Sequence, residues 1–126
     1  MKNLPFLFLV AAAIFAFAGM GLGIHMAASH DHTLAPVHAH NNLIGWVSLA
    51  IYGLYYKVVP AAAATRLAAV HFWISFLGAL TFAPTLAMAL LAGQEGPVAL
   101  SALAVIAGMA LFVVIVVANR RHLTQA

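Results

Sequence analysis

The chain has 126 residues, of which 66% are hydrophobic and 6% are charged. Soluble domains carry about 25% charged residues, so this composition excludes an ordinary water-soluble domain. It also excludes intrinsic disorder, because so apolar a chain does not stay solvated. The absence of cysteine excludes disulfides, thiolate metal sites and covalent c-type haem attachment. The net charge of +3 comes from only five basic residues, which indicates membrane topology and no nucleic-acid partner.

Four apolar runs are each long enough for a helix that crosses the roughly 30 Å hydrocarbon core of a bilayer. Gly, Pro and charged residues mark the breaks between the runs. Strands are not expected, because the runs are long and do not alternate in polarity. The sequence therefore predicts an all-α, polytopic membrane protein with one domain, 1–126, and a bundle of four transmembrane helices at about 4–26, 38–59, 66–92 and 98–118.

The first apolar run has some features of a secretory signal peptide. Lys2 precedes it, and the sequence Ala16-Phe17-Ala18 imitates a cleavage site. The run of about 23 residues is nevertheless longer than the apolar region of a typical signal peptide. We therefore expect a retained first helix.

The charged residues separate cleanly under this four-helix topology. Asp31 and Glu95 fall on one side, and all five basic residues fall on the other: Lys2, Lys57, Arg66, Arg120 and Arg121. The positive-inside rule then predicts that both termini are cytoplasmic. The His-rich loop 27–37 faces the periplasm if the protein lies in a bacterial inner membrane.

Seven histidines stand out in so apolar a chain, and five of them fall within 16 residues near the predicted outer edge: His25, His30, His32, His38 and His40. Neutral imidazole binds zinc, copper and haem iron. In a helix the rings of His38 and His40 point about 200° apart, which prevents both from reaching one small ion. An extended segment, or a haem that takes one ring on each face, removes that restriction.

The predicted second helix carries a polar face below His38. Asn42, Gly45, Tyr52 and Tyr56 follow at helical spacing, and polar side chains in a membrane helix are expected to face protein, a cofactor or water. Gly45 removes side-chain bulk, so a flat ring can approach the backbone there. Ordinary helix packing is the alternative interpretation of this face.

The remaining histidines offer further ligands with alternatives of their own. His25 ends the first helix near the depth of His38. It is either a second axial ligand to haem iron or an interfacial residue. His30 and His32 flank Asp31. These three side chains could bind zinc or copper, or they could simply belong to a polar loop. His71 lies on the opposite half of the bilayer, five residues past Arg66, so one iron cannot take both it and His38. It is either part of a second cofactor site or proton route, or a satisfied packing residue.

The stretch 36–53, PVHAHNNLIGWVSLAIYG, resembles the second helix of haem-copper oxidase catalytic subunits, in particular the nitric oxide reductase branch and the C-type oxidases. In that family a pattern V-H-x-(H/S)-x-x-L-x-G carries an axial histidine of the low-spin haem b. The resemblance implies His38 as a haem ligand, with His40 second, and Asn42, Gly45 and Trp46 beside the cofactor. The similarity extends over about 34–88.

The family's catalytic subunit has about twelve helices in three similar four-helix arcs, and its copper ligands lie on later helices. A chain of 126 residues supplies one such arc, so the resemblance implies a homotrimer. It does not imply oxygen or nitric oxide reduction, and no complete catalytic set is visible in one chain. An oxidoreductase component is one interpretation.

The first functional hypothesis is a small, oligomeric membrane protein that binds haem b. Its role is electron transfer with a redox partner, haem handling, or binding of a gas such as NO or O₂. The second hypothesis is a copper- or zinc-binding module built on the outer histidines. The third is a structural or accessory protein in the lipid bilayer that needs no cofactor. In it the histidines are pH-sensitive polar contacts, and Gly19 and Gly23 form the face that contacts another helix.

Overall fold

The computed structural model describes residues 3–124 and is helical over almost all of them. In chain order the elements are α1 (Leu4–Ser29), α2 (Ala35–His40), a π-helix (Asn41–Ser48), α3 (Leu49–Val58), α4 (Pro60–Ala63), α5 (Arg66–Ala92), α6 (Glu95–Ala118) and α7 (Arg120–Thr124). The prediction of an all-α protein is confirmed for this part of the chain.

The prediction of four transmembrane helices is wrong. Among residues 3–124, three helices are long and apolar enough to cross a membrane: α1 with 26 residues, α5 with 27 and α6 with 24. The predicted helix at 38–59 is divided into α2, the π-helix and α3, of which the longest has 10 residues. The three long apolar helices indicate a membrane protein.

Two asparagine side chains explain why the α-helical register changes after residue 40. The Nδ2 atom of Asn42 donates to the His38 carbonyl at 2.9 Å. The Nδ2 atom of Asn41 donates across to the Phe15 carbonyl of α1 at 2.8 Å. The Asn42 side chain competes with the α-helical ladder for the His38 carbonyl four residues earlier, whereas the Asn41 side chain fastens the segment to α1. A π-helix bonds five residues back instead of four. Hydropathy does not detect this competition.

The returning segment, which we define as α2, the π-helix and α3 together (35–58), packs antiparallel along α1. Small residues allow the close approach. At each contact a glycine of one element faces a side chain of the other: Gly23 faces His38, Gly19 faces Asn42, Gly45 faces Phe15, and Gly53 faces Phe8. The start of α1 and the end of α3 therefore lie at the same end of the bundle.

Helices α5 and α6 form a hairpin that closes the bundle. The Thr65 hydroxyl caps the start of α5 by accepting from the Ala68 amide at 3.1 Å. Gly93 ends α5 in the left-handed conformation, with φ of 67°, which glycine adopts without a steric penalty. The Tyr55 hydroxyl donates to the Ile115 carbonyl at 3.5 Å, so the end of α6 lies beside the end of α3.

The bundle has two chemically different ends. Lys57, Arg66 and Arg120 lie near the ends or starts of α3, α5 and α7, and we call this the basic end. The opposite end carries the α1–α2 connection with its histidines, and we call it the histidine end. Between the ends the outer surface exposes large apolar side chains such as Phe17, which is 80% exposed. Such a surface suits contact with lipid.

Candidate functional site

The three histidines before α2 are exposed side chains around a short polar turn. His25 lies in the last turns of α1, His30 follows its end, and His32 lies in the connection to α2. His30 adopts the left-handed conformation with φ of 55°, which ends the helix and is uncommon for a residue other than glycine. The turn therefore presents all three imidazoles at the surface.

Asp31 organises this turn by accepting two hydrogen bonds from Thr33. Its Oδ1 atom accepts from the Thr33 hydroxyl at 2.6 Å and from the Thr33 amide at 2.9 Å. These bonds hold the pKa of the Asp31 carboxyl below its ordinary value, and the bond from the hydroxyl has the larger effect. Hydrogen bonds to the ionised form are the physical cause. The carboxylate thus has a structural role in the turn.

The Asp31 carboxylate is expected to titrate below the ordinary pKa of an aspartate. Because the folded pKa is depressed, its stabilisation of the turn is present above the unfolded pKa of about 3.9 and is lost as pH falls through the lowered value. Carbon-detected NMR titration of the side-chain carboxyl measures the midpoint. Thr33→Val removes the hydroxyl donor at similar size and is expected to raise that midpoint. An unchanged midpoint in Thr33→Val would contradict the assignment.

His38 is held between the returning segment and α1. Its Nε2 atom lies 3.3 Å from Nδ2 of Asn42, and its ring faces Gly23 of α1. Its Nδ1 atom is buried and has no hydrogen-bond partner. Both ring nitrogens therefore face protein. The residue expected as the first haem ligand needs a movement of its ring before it can reach an iron atom.

His40 has the geometry of a free imidazole ligand. Its Nδ1 atom lies 2.8 Å from the Pro36 carbonyl. A carbonyl only accepts, so Nδ1 carries the proton and Nε2 keeps its lone pair. The ring is exposed and stacks on Phe82 of α5, with centroids 5.2 Å apart and planes at 29°. A backbone carbonyl that fixes the tautomer in this way is typical of metal-binding histidines.

The other residues expected near a cofactor have different surroundings. The space beside Gly45 is filled by the Phe15 ring of α1, which would lie 2.5 Å from a Cβ atom at that position. The Asn42 amide donates to the His38 carbonyl and packs against Gly19 of α1. Trp46 is 44% exposed. The inner side of the returning segment is therefore packed against α1, and its open side carries His40 and Trp46.

The predicted metal ligands do not form one cluster in the structure. Among the residues described, no three His, Asp or Glu side chains lie close enough together to hold a metal ion. His71 lies far along the bundle from His38, since it contacts Tyr56 of α3 whereas His38 contacts Gly23 of α1.

His71 lies in an aromatic cage at the centre of the bundle. It is fully buried, and its Nδ1 atom lies 2.9 Å from the Tyr56 hydroxyl. Its ring stacks on Phe112 of α6, with centroids 5.6 Å apart and planes at 18°. Phe8 and Tyr52 lie 5.4 and 4.6 Å from it. The Nε2 atom is buried without a partner, so Tyr56 makes its one polar contact.

Tyr56→Phe is expected to lower the free energy of unfolding by about 1–2 kcal/mol, because it leaves His71 buried with neither nitrogen bonded. Tyr55→Phe is a matched control, since the Tyr55 hydroxyl makes only a 3.5 Å bond to Ile115. Reversible unfolding in mixed detergent micelles, followed by circular dichroism, measures both. Equal effects of the two substitutions would show that the Tyr56 bond to His71 contributes nothing specific.

The structure places Tyr56 and Phe82 beside predicted ligands, and the sequence predicted neither pairing. Tyr56 shares the polar face of Asn42 and Tyr52, so its position facing protein was foreseeable, although its partner His71 was not. Phe82 lies 42 residues from His40 in the chain, and no local pattern connects the two. Only tertiary packing brings Phe82 under the imidazole.

Comparison with known proteins identified no relative of this chain. No family model matches the chain, and no match was found among curated proteins or among solved structures. The resemblance of 36–53 to haem-copper oxidases therefore stays a prediction, and the functional argument depends on the geometry of the histidine end.

Proposed function

We propose that this protein is a membrane haem b-binding protein in which His40 provides an axial ligand to iron. One observation supports this most directly. The Pro36 carbonyl, 2.8 Å from Nδ1, leaves the lone pair on Nε2, and the ring is exposed. Neutral imidazole with a free nitrogen is the form that binds haem iron. The same hydrogen bond restricts rotation of the ring.

The surroundings of His40 suit a porphyrin better than a small hydrated ion. Phe82 supports one side of the imidazole. Three large apolar residues follow on the π-helix and are exposed: Leu43, Trp46 and Val47. A porphyrin is a flat apolar ring, and its burial against such side chains is favourable. The residues present therefore fit the group at an outward surface of the bundle.

The bound haem would supply reversible one-electron chemistry, and we infer a role in electron transfer with a redox partner. His40 would hold the iron, and the Pro36 carbonyl would raise the basicity of its imidazole. Because His40 faces outward, we propose that a second copy of the chain covers this surface and supplies the other axial imidazole. A homo-oligomer agrees with the homotrimer that the resemblance implies.

We infer that the basic end faces the cytoplasm of a bacterial inner membrane. Lys57, Arg66 and Arg120 lie at that end, and the positive-inside rule favours this orientation. Lys2 lies outside the described residues. The histidine end, with its two acidic residues Asp31 and Glu95, then faces the periplasm. His40 would be accessible to a redox partner on that side.

A visible absorption spectrum before and after dithionite tests the proposal on the full chain, purified in mild detergent after expression with a haem precursor. We expect a sharp Soret band with reduced α and β bands. His40→Ala is expected to abolish the six-coordinate spectrum, because it removes the ligand. His38→Ala is expected to retain it, and His32→Ala, an exposed histidine of the same end, is the matched control.

Three outcomes would contradict parts of this proposal. A colourless protein would refute haem binding and leave copper and zinc analysis of the outer histidines as the next measurement. Loss of the spectrum in His38→Ala with retention in His40→Ala would assign the ligand as the family resemblance does. A high-spin spectrum that shifts with NO or CO would replace electron transfer by gas binding, because it requires an open position on the iron.

A further inference from the structure

A cavity lies between the returning segment and the hairpin of α5 and α6. Its volume is about 230 Å³, which is room for several water molecules at about 30 Å³ each. Its outer rim is apolar, since Ile106 and Met109 line it and are exposed. His40 and Phe82 are not among the described residues that line it, so the cavity is distinct from the surface proposed for haem.

Ser75 of α5 lines this cavity and has a buried hydroxyl without a partner. The side chain is 6% exposed, and its Oγ atom makes no hydrogen bond to any described residue. A Cβ atom on Gly108 of α6 would lie 2.6 Å from this Oγ atom, so the glycine makes space for the hydroxyl between the two helices. A hydroxyl can donate one hydrogen bond and accept others, and leaving all of them unmade is costly in apolar surroundings.

Two further hydroxyls line the cavity from the returning segment, those of Ser48 and Tyr52. The Tyr52 hydroxyl donates a long bond, 3.7 Å, to the Met109 sulfur, which is a weak acceptor. The Ser48 hydroxyl donates to the Leu43 carbonyl at 2.7 Å, so its oxygen keeps its capacity to accept. Groups that can form hydrogen bonds therefore lie on both sides of the cavity.

We propose that this cavity binds ordered water, which bridges the Ser75 hydroxyl of α5 to the Tyr52 and Ser48 hydroxyls of the returning segment. A buried water molecule makes about three hydrogen bonds, and the three hydroxyls that line the cavity supply the partners. The alkyl chain of a lipid fills space equally well, but it leaves the Ser75 hydroxyl unbonded at membrane depth.

The water joins two halves of the bundle, which are α1 with the returning segment and α5 with α6. The direct hydrogen bonds from α3 to α6 are long, at 3.7 Å from Tyr52 to Met109 and 3.5 Å from Tyr55 to Ile115. Water-mediated bonds are nearly as favourable in enthalpy as direct ones. The bound water therefore contributes polar contacts between the two halves where direct contacts are weak.

Water-edited solid-state NMR tests this proposal on the full chain, labelled with ¹³C and reconstituted in liposomes of chain-deuterated phosphatidylcholine. The readout is the rate at which magnetisation passes from water protons to the Cβ atom of each residue. Ala79 is the dry reference, because it lies one turn beyond Ser75 on α5, is 3% exposed and does not line the cavity. We expect transfer to Ser75 to be severalfold faster than transfer to Ala79.

Equal rates for Ser75 and Ala79 would overturn the proposal. They would show that the Ser75 hydroxyl bonds to the His71 carbonyl, four residues earlier, as serines in helices can do. This comparison is made within the parent chain, so it does not depend on whether any variant folds.

Ser75→Ala is expected to slow transfer to the Val105 methyl groups on the α6 wall severalfold, because it removes a partner of the water. Ser101→Ala is the matched control, since Ser101 is a serine 5% exposed whose hydroxyl lies 2.8 Å from that of Thr85. It should leave the Val105 rate unchanged. An unchanged rate in Ser75→Ala, or equal slowing in both variants, would overturn the proposal. No residue of the haem proposal is changed, so the two proposals fail independently.

Discussion

Replacement of Phe8 by alanine is expected to lower the free energy of unfolding by about 3 kcal/mol, because it opens a cavity where α1, α3 and α5 meet. Phe8 is fully buried. Its ring stacks on Tyr56 with centroids 5.6 Å apart and meets Phe72 edge-on at 4.9 Å. It also lies against His71. Inside a membrane the lost packing contacts, more than transfer from water, account for the effect.

Phe17→Ala separates loss of packing from a general effect of removing a phenylalanine. Phe17 lies on the same helix but is 80% exposed, so its removal is expected to change stability by less than about 0.5 kcal/mol. Reversible unfolding in mixed detergent micelles, followed by circular dichroism, measures both variants. Similar values for Phe8→Ala and Phe17→Ala would contradict the aromatic core described above.

Composition and apolar run length were sufficient to predict the helical class and the three long helices α1, α5 and α6. They were insufficient for the returning segment, because hydropathy counts apolar residues and ignores competition for backbone hydrogen bonds. Asn42 supplies that competition locally, through its bond to the His38 carbonyl. The Asn41 bond to the Phe15 carbonyl depends on where α1 lies, so the change of register also has a tertiary component.

In the candidate site, too, the sequence predicted the local features and missed those that depend on tertiary contacts. The cluster of histidines at one end was visible in the sequence, and so was the polar face below His38. Which imidazole keeps an exposed nitrogen without a partner was not visible, because the Pro36 carbonyl takes Nδ1 of the exposed His40, whereas the unpaired Nδ1 of His38 is buried. The partner of His71 was hidden for the same reason, since Tyr56 lies 15 residues away on another helix.

Gly45→Ala is expected to destabilise the protein by about 2 kcal/mol, because the added methyl group overpacks the contact between the returning segment and α1. A Cβ atom at this position would lie 2.5 Å from Cδ1 and 2.9 Å from Cβ of Phe15. Phe15 is itself buried, so its ring has little room to move. The clash outweighs the gain of about 0.5–1 kcal/mol that alanine gives over glycine in a helix.

Gly21→Ala is the matched control, because a Cβ atom there meets no atom within 4 Å. It is expected to stabilise α1 slightly, so the two glycine substitutions should have opposite signs in the same unfolding assay. The side-chain amide resonance of Asn41 provides a second measurement, since separation of the segments lengthens its bond to the Phe15 carbonyl. A neutral Gly45→Ala variant with an unshifted Asn41 amide would show that the returning segment does not pack on α1 as described. The same result would remove the tertiary explanation for the π-helix, because that explanation requires Asn41 to reach α1.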